Sequence, residues 1–451
     1  MRASRRLPRA ADAARPPRQG VPQVVGRGDE RERALLVAAA WDGSGTLDPQ
    51  ESVDELGRLA DTAGLEVVAK VLQEIKRVHP ATFIGSGKVA EVRELVRSLC
   101  VHVAVFDDPL SPAQQRNLAK ELDIKVIDRS QLILDIFAQR AKSQAGKLQV
   151  ELAQLEYMLP RLTRAWLHLS RLGGGVGTRG PGETQLEVDR RRVRERISVL
   201  RRRLGEVART RGLHRRSRAE VPYPTVALVG YTNAGKSTLM NRLTSADTLV
   251  EDKLFATLDP TVRKLALPVA GPVLLIDTVG FIHKLPHGFV DAFKSTLEEV
   301  RSADLLLHVI DASDPHADEQ AAVVESVLDE LGVADTPRVV VFNKADALPS
   351  GAPPLPLDAT SCSISAQRGD GIERLVAVID ERLQSCRERL RARIPVARGD
   401  LLARLYRDGK VVQRDDHDGV VEVTALVPAK VAGQVRKALA AVGGEAESMP
   451  C

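Results

Sequence analysis

The stretch Gly230-Tyr231-Thr232-Asn233-Ala234-Gly235-Lys236-Ser237-Thr238 constrains this chain more than any other. It follows an apolar run, Thr225 to Val229, that reads as a strand, and it leads into the helical Leu239-Met240-Asn241-Arg242-Leu243. A GxxxxGK[ST] pattern between strand and helix is the signature of a phosphate cradle. The glycines let the backbone wrap closely enough for its N–H groups to face a phosphate, and the helix N-terminus adds its positive end. Lys236 is expected to reach the β- and γ-phosphates and act on the transferred group, with the Ser237 hydroxyl as a Mg²⁺ ligand. The order strand, loop, helix also implies an α/β domain with a parallel sheet.

Further elements follow in the order that a nucleotide switch requires. The apolar Val273 to Ile276 ends in Asp277-Thr278-Val279-Gly280. Asp277 is placed to hold Mg²⁺ through water, and the Gly280 N–H to sense the γ-phosphate. Between loop and strand, Phe255-Ala256-Thr257-Leu258-Asp259-Pro260-Thr261 is a candidate first switch. Thr257 is expected to close over Mg²⁺ as a third metal ligand, with Thr261 the fallback. Val339 to Phe342 leads into Asn343-Lys344-Ala345-Asp346. A carboxylate accepts only, and guanine offers N1–H and N2–H₂ as adjacent donors. Adenine lacks that pair, so a buried Asp346 would be left unsatisfied by ATP. Lys344 is expected over the ring, with Asn343 tying the loops together. Ile364-Ser365-Ala366, before Gly369 and Gly371, fits a loop that touches guanine O6 through a backbone N–H. After Gly280 come Phe281 and Ile282, which cannot orient a nucleophilic water, so intrinsic hydrolysis is expected to be slow. Asn233 stands where some such proteins hold K⁺ between the phosphates; a K⁺ site and a merely bracing side chain are both open.

The rest of the 451 residues leaves room for further domains. Aromatic residues are only 3%, so the cores must rest on Leu, Val, Ile and Ala. From Arg33 onward, Leu35 to Trp41, Leu65 to Leu72, Val101 to Phe106 and Ile124 to Ile127 read as strands. Val53 to Ala63, Lys88 to Ser98 and Pro112 to Leu122 read as helices between them, which implies a second parallel α/β domain. Within it Gly85-Ser86-Gly87-Lys88 imitates a phosphate loop. It has Thr82 where the first glycine belongs and Val89 in place of Ser or Thr, so it reads as a turn into a helix.

Leu148, Leu152, Leu155, Leu159, Leu162, Trp166 and Leu169 then form a coiled-coil seam, with a break expected at Pro160. A second seam runs through Leu186, Val193, Ile197, Leu200 and Leu204. Between them lies the glycine-rich stretch from Gly173 to Gly182, so the two helices are expected to fold back as an antiparallel hairpin with that loop at its tip. The returning helix carries Arg190, Arg191, Arg192, Arg194, Arg196, Arg201, Arg202 and Arg203. Glu187, Asp189 and Glu195 partly offset this charge, so a merely solvated helix face is one reading. Arginine forks suit phosphate, and few aromatics are present to stack on bases, so backbone contact with folded RNA is the expected use. The net charge of +5 agrees with a polyanionic partner. The four cysteines have no metal-ligand spacing and no apolar run reaches a membrane span. A cytoplasmic, monomeric protein without a membrane anchor is expected. Residues 1–32 read as a disordered basic tail.

Several stretches together resemble the HflX family of ribosome-associated GTPases. They include Pro80-Ala81-Thr82-Phe83-Ile84-Gly85-Ser86-Gly87-Lys88, Gly146-Lys147-Leu148-Gln149-Val150-Glu151-Leu152, Gly177-Thr178-Arg179-Gly180-Pro181-Gly182-Glu183-Thr184-Gln185 and Phe255-Ala256-Thr257-Leu258-Asp259-Pro260. The resemblance implies a GTPase that binds the 50S ribosomal subunit and its rRNA, with the hairpin tip entering the peptidyl-transferase region and ribosome dissociation or rescue as its role. An RNA-binding assembly factor whose GTP hydrolysis only times release is the alternative. The expected architecture is a P-loop GTPase domain over residues 223–392, an N-terminal parallel α/β domain over 33–142, a helical hairpin over 143–218 and a small α+β domain over 393–451.

Overall fold

The computed structural model describes residues 31–40, 48–162, 182–219, 223–244, 254–284, 299–348, 354–385, 387–417, 419–440 and 445–449. Among these, the strands gather into three sheets. The first has order β2-β1-β3-β4, all parallel, from β1 (Arg33–Ala40), β2 (Glu66–Glu74), β3 (Val103–Phe106) and β4 (Lys125–Asp128). Strand β1 is buried on both faces, as a strand covered by helices on each side must be. Its period of two divides the core: Leu36 and Ala38 face α1 (Pro49–Thr62) and α4 (Arg129–Arg140), while Leu35, Val37 and Ala39 face α2 (Ser86–Ser98) and α3 (Pro112–Leu122). Helix α3 runs from Pro112 to Leu122 as the sequence reading had it, and its start is fixed by an N-cap, Ser111, that forms a capping box with Gln114.

Helix α5 (Gln144–Met158) is followed by a 3-10 turn, Leu159–Arg161, at Pro160. The 38-residue α6 (Gly182–Ala219) packs against it through Leu148, Leu152, Ile197 and Leu200, flanked by Leu155, Leu159, Val193 and Leu204. These are the two seams. The Arg190 guanidinium donates to the Leu162 carbonyl at 2.8 Å, closing the pair at the end nearest the connecting loop. Trp166, Leu169, most of the glycine-rich tip and the basic tail lie outside the described residues.

The second sheet has order β10-β9-β8-β5-β7-β6. It comprises β5 (Thr225–Gly230), β6 (Thr261–Leu267), β7 (Gly271–Asp277), β8 (Leu305–Asp311), β9 (Arg338–Asn343) and β10 (Ser361–Ser363), parallel except for β6. Helices α7 (Lys236–Thr244), α8 (Ala317–Glu330) and α9 (Ile372–Ser385) accompany it. After β5 the chain builds one half of the sheet, then crosses to build the other, so the end of β5 is a switch point where ligands bind.

The third sheet corrects a boundary. Strand β11 (Arg387–Pro395) pairs antiparallel with β13 (Val420–Pro428) and with β14 (Glu445–Met449), so the last domain begins near 387 and not at 393. The reason is visible in β11: Leu390, Ala392 and Ile394 are buried while Arg391 and Arg393 face out, an alternation hidden in the sequence by its charge density. With α10 (Gly399–Asp408), β12 (Lys410–His417) and α11 (Ala429–Ala440), the domain runs βαββαβ with order β12-β13-β11-β14. No described helix is long and apolar enough to cross a membrane.

Candidate nucleotide-binding cleft

A cleft opens at the end of β5. Thr232, Asn233, Gly235, Lys236, Ser237 and Thr238 line it from the loop, and Phe255, Ala256, Thr257, Thr278 and Gly280 line it from the facing segments. The loop is held open by backbone that few residues adopt: Asn233 has φ 62° and Gly235 has φ 90°. A Cβ on Gly235 would stand 2.2 Å from Asn343 Nδ2. Opposite, the Thr232 N–H donates to the Phe281 carbonyl at 2.7 Å and the Phe281 N–H to the Gly230 carbonyl at 3.1 Å, lacing the loop to the segment after Gly280.

Inside the cleft, Lys236 is buried and its ammonium donates to the Gly230 and Tyr231 carbonyls at 3.0 and 2.7 Å. Burial pushes it down to about 8, a shift that Asp277 opposes only in part. A cation held this way is desolvated in advance and gains when an anion arrives. Three oxygens converge beside it. Ser237 Oγ lies 2.8 Å from Thr257 Oγ1 and 2.6 Å from Asp277 Oδ2, and Thr257 Oγ1 lies 3.0 Å from the same carboxylate oxygen. Burial raises the Asp277 carboxyl above the usual range, and its Oδ1 is buried without a hydrogen-bond partner. Two hydroxyls and one carboxylate with an unanswered buried oxygen form a hard-oxygen set of the kind that suits Mg²⁺ shared with phosphates. Among the described residues no group of three His, Cys, Asp or Glu side chains stands together to hold a metal ion. Of the two candidate threonines, Thr257 joins this cluster, whereas Thr261 is exposed at the start of β6.

The remaining residues stand farther along. Asn343 Nδ2 donates to the Ala234 carbonyl at 2.8 Å and its Oδ1 accepts from the Ala366 N–H at 3.0 Å, so one amide joins the phosphate loop to the Ser365-Ala366 loop. The Ala345 N–H donates to the Ile364 carbonyl at 3.0 Å. Lys344, at φ 60°, is held by Asp311 at 2.6 Å. Asp346 is largely but not wholly buried, its side chain 15% exposed at the rim. Its carboxyl is held below the usual range by the Ser365 hydroxyl and the nearby Arg368 and Lys344 charges. A base lying over it would complete its isolation from water.

Four residues expected at the cleft turn their side chains elsewhere. Asp259 turns away from the cleft and accepts from the Lys142 and Ser143 N–H groups at 3.1 and 2.7 Å and from the Ser143 hydroxyl. The reason is the N-terminus of α5, whose unpaired N–H groups favour a carboxylate. Leu258 and Val279 bury in the core, leaving only backbone for the cleft. Tyr231 contributes its carbonyl, but its ring is buried and its hydroxyl donates to Glu55 on α1 while accepting from the His283 N–H at 2.8 Å.

Sequence reasoning missed that the first domain grips both candidate switches. Phe255 stacks edge-on against Phe137 of α4, with ring centres 4.6 Å apart. Beyond Phe281, Lys284 pairs with Asp107 and with Asp108, at 2.5 and 2.7 Å. Arg129, almost wholly buried, pairs with Glu55 and with Asp107 at 2.5 Å. Burial pushes Asp107 up, but Arg129 and Lys284 outweigh it and hold the carboxyl below its ordinary range. The one available signal was Asp107-Asp108 directly after an apolar strand, where a carboxylate needs a partner.

A phosphate loop at the switch point of a parallel sheet, with an Asn-Lys-x-Asp loop beside it, defines a P-loop GTPase. Four family descriptions match along the chain: GTP-binding GTPase N-terminal over residues 50–138, GTP-binding GTPase Middle Region over 140–218, 50S ribosome-binding GTPase over 225–344 and HflX C-terminal domain over 357–447. The GTPase HflX of Caldanaerobacter subterraneus subsp. tengcongensis is 48% identical over 410 residues, which are 90% of this chain and 94% of that protein. The GTPase HflX of Escherichia coli is 44% identical over 409 residues, 89% of this chain and 95% of that one. Among solved structures, a GTP-binding protein from Sulfolobus solfataricus in complex with GDP covers 78% of this chain and 99% of that one, at 24% identity and a TM-score of 0.42. This chain belongs to the HflX family of GTPases.

Proposed function

We propose that this GTPase binds the 50S ribosomal subunit through its rRNA and couples its GTP cycle to the dissociation or rescue of ribosomes. The reading rests on the match of residues 225–344 to a 50S ribosome-binding GTPase and on the arginine-bearing hairpin. Arg194, Arg202 and Arg203 are exposed and have no carboxylate partner among the described residues, whereas Arg196 and Arg201 are paired with Glu151 and Glu156. The single observation that carries the coupling is Asp259. It lies two residues after Thr257 and caps the first turn of α5, so the segment that answers to the γ-phosphate also holds one end of the hairpin.

In this reading Lys236 meets the β- and γ-phosphates, and Ser237, Thr257 and Asp277 hold Mg²⁺, Asp277 through water. Mg²⁺ would neutralise charge developing between those phosphates. The Gly280 N–H faces the γ-phosphate, and Lys344 and Asp346 take the base. Phe281 and Ile282 are buried, so no side chain there orients water and hydrolysis by the isolated protein is slow. Asn233 is exposed at the lip, where it can hold K⁺ against the phosphates. Equal GTP turnover in KCl and NaCl, with ribosomes present, would remove that ion from the scheme.

The decisive experiment mixes the protein with purified 70S ribosomes and a non-hydrolysable GTP analogue and resolves the mixture on a sucrose gradient. Free subunits are expected. Intact 70S with the protein confined to added 50S particles would instead support the assembly-factor alternative.

A further inference from the structure

The loop Ser365 to Arg368 presents four consecutive N–H groups, and three are engaged. Ser365 N–H donates to the Asp370 carbonyl at 3.0 Å, Ala366 N–H to Asn343 Oδ1 at 3.0 Å, and Arg368 N–H to the Ser365 hydroxyl at 3.0 Å. Only the Gln367 N–H has no partner among the described residues. The Ala366 N–H, the natural candidate for guanine O6, already belongs to Asn343.

Arg242 decides where the remaining N–H points. It sits two turns into α7, and its Nε donates to the Ala366 carbonyl at 3.1 Å while a terminal nitrogen donates to the Gln367 carbonyl. Gly369 takes φ 99°, a left-handed backbone that favours glycine, and the guanidinium lies beside it, in ordinary contact range at 3.5 Å between a would-be Cβ and Arg242 Cζ. The Ala366 carbonyl and the Gln367 N–H share one planar trans peptide and point in opposite directions. Fixing the carbonyl toward α7 therefore fixes the N–H away from it. The next peptide is held at both ends, its carbonyl by Arg242 and its N–H by Ser365, whose hydroxyl also supports Asp346. A planar guanidinium serves two carbonyls from fixed directions, which a single ammonium does not.

We propose that Arg242 is a positioning residue for base selection: by clamping the Ala366 and Gln367 carbonyls it turns the Gln367 N–H toward O6 of guanine. Arg242 touches no part of the nucleotide itself. This deepens the proposed reading of the base site and rests on it, with Asp346 taking the two donors of guanine and the loop taking its oxygen.

The test measures the affinity of the full chain for GDP, 6-thio-GDP and IDP in the wild type, Arg242→Ala and Arg242→Lys. The thio analogue keeps both donors but replaces O6 with a poor acceptor; IDP keeps O6 but lacks the amine that Asp346 meets. Arg242→Ala is expected to lose about tenfold for GDP, the weight of one hydrogen bond, and little for 6-thio-GDP, so the preference between them collapses. The remaining loss of IDP relative to GDP stays as in the wild type once O6, common to both, is factored out. Arg242→Lys recovers part of the preference. Equal weakening of GDP and 6-thio-GDP by Arg242→Ala, or no weakening, would overturn the proposal, since a merely structural role moves both together. A wild type that does not separate GDP from IDP would overturn the base reading itself, and the proposal with it.

Discussion

Helices α7 and α2 each start at or near a Gly-Lys step, and only α7 ends a phosphate cradle. At α7 the loop leaves the central strand of a sheet, turns through left-handed backbone at Asn233 and Gly235, and brings Lys236 inward against its own carbonyls. At α2 the left-handed residue of the incoming turn is Phe83, at φ 65°, which is buried and lies before the helix start; Gly85 has ordinary φ, and Lys88 pairs with Glu91 at 2.7 Å along its own helix. Val89, where a metal-binding hydroxyl would stand, is buried in the first domain's core. A lysine at a helix N-terminus is thus not yet a phosphate ligand. The inward direction comes from the backbone before it, and that backbone needs the first glycine, which Thr82 replaces.

The contrast is broken most severely by Lys236→Ala. It removes a buried cation aimed at two phosphates, so GDP and GTP affinity is expected to fall by at least about a hundredfold in fluorescence titration. Survival of wild-type affinity would mean that the cradle is misassigned. Gly235→Ala comes next. Its methyl group meets Asn343 Nδ2 from a backbone that disfavours side chains, which costs roughly 2 to 4 kcal/mol in thermal or urea unfolding. Because Asn343 also holds Ala366, nucleotide affinity should fall as well, and a variant with intact stability would show that the loop can relax.

Much of this was legible beforehand for a physical reason. Strands and helices advertise themselves locally: β1 by its apolar run, α3 by the stretch Pro112 to Leu122, the hairpin by alternating steps of three and four. The phosphate loop was legible because its glycines and lysine are consecutive. What stayed hidden joins residues far apart in sequence. Glu55 with Tyr231, Asp107 with Lys284 and Ser143 with Asp259 each pair a charge or hydroxyl that, read alone, looks like ordinary solvated surface. Arg242 read only as part of the helix after the phosphate loop; its meaning comes from the Ala366 and Gln367 carbonyls, which belong to a loop far away in sequence. Asp259 was misassigned because its neighbours in sequence line the cleft, although its own side chain points to another helix.

The smallest effect is the sharpest control. Gly87 lies in the first turn of α2 with nothing within 4 Å of a would-be Cβ and no left-handed φ. Gly87→Ala is therefore expected to stabilise the protein by about 0.5 to 1 kcal/mol, because alanine loses less backbone freedom in a helix. Lys88→Ala removes a partly exposed pair with Glu91, worth about 0.3 to 0.5 kcal/mol in the opposite direction. The double variant should thus be at most about 0.7 kcal/mol more stable than the wild type and bind nucleotide unchanged. If it lost nucleotide affinity instead, the first domain would hold a second phosphate site, and the geometry separating the two helices would not be what decides function.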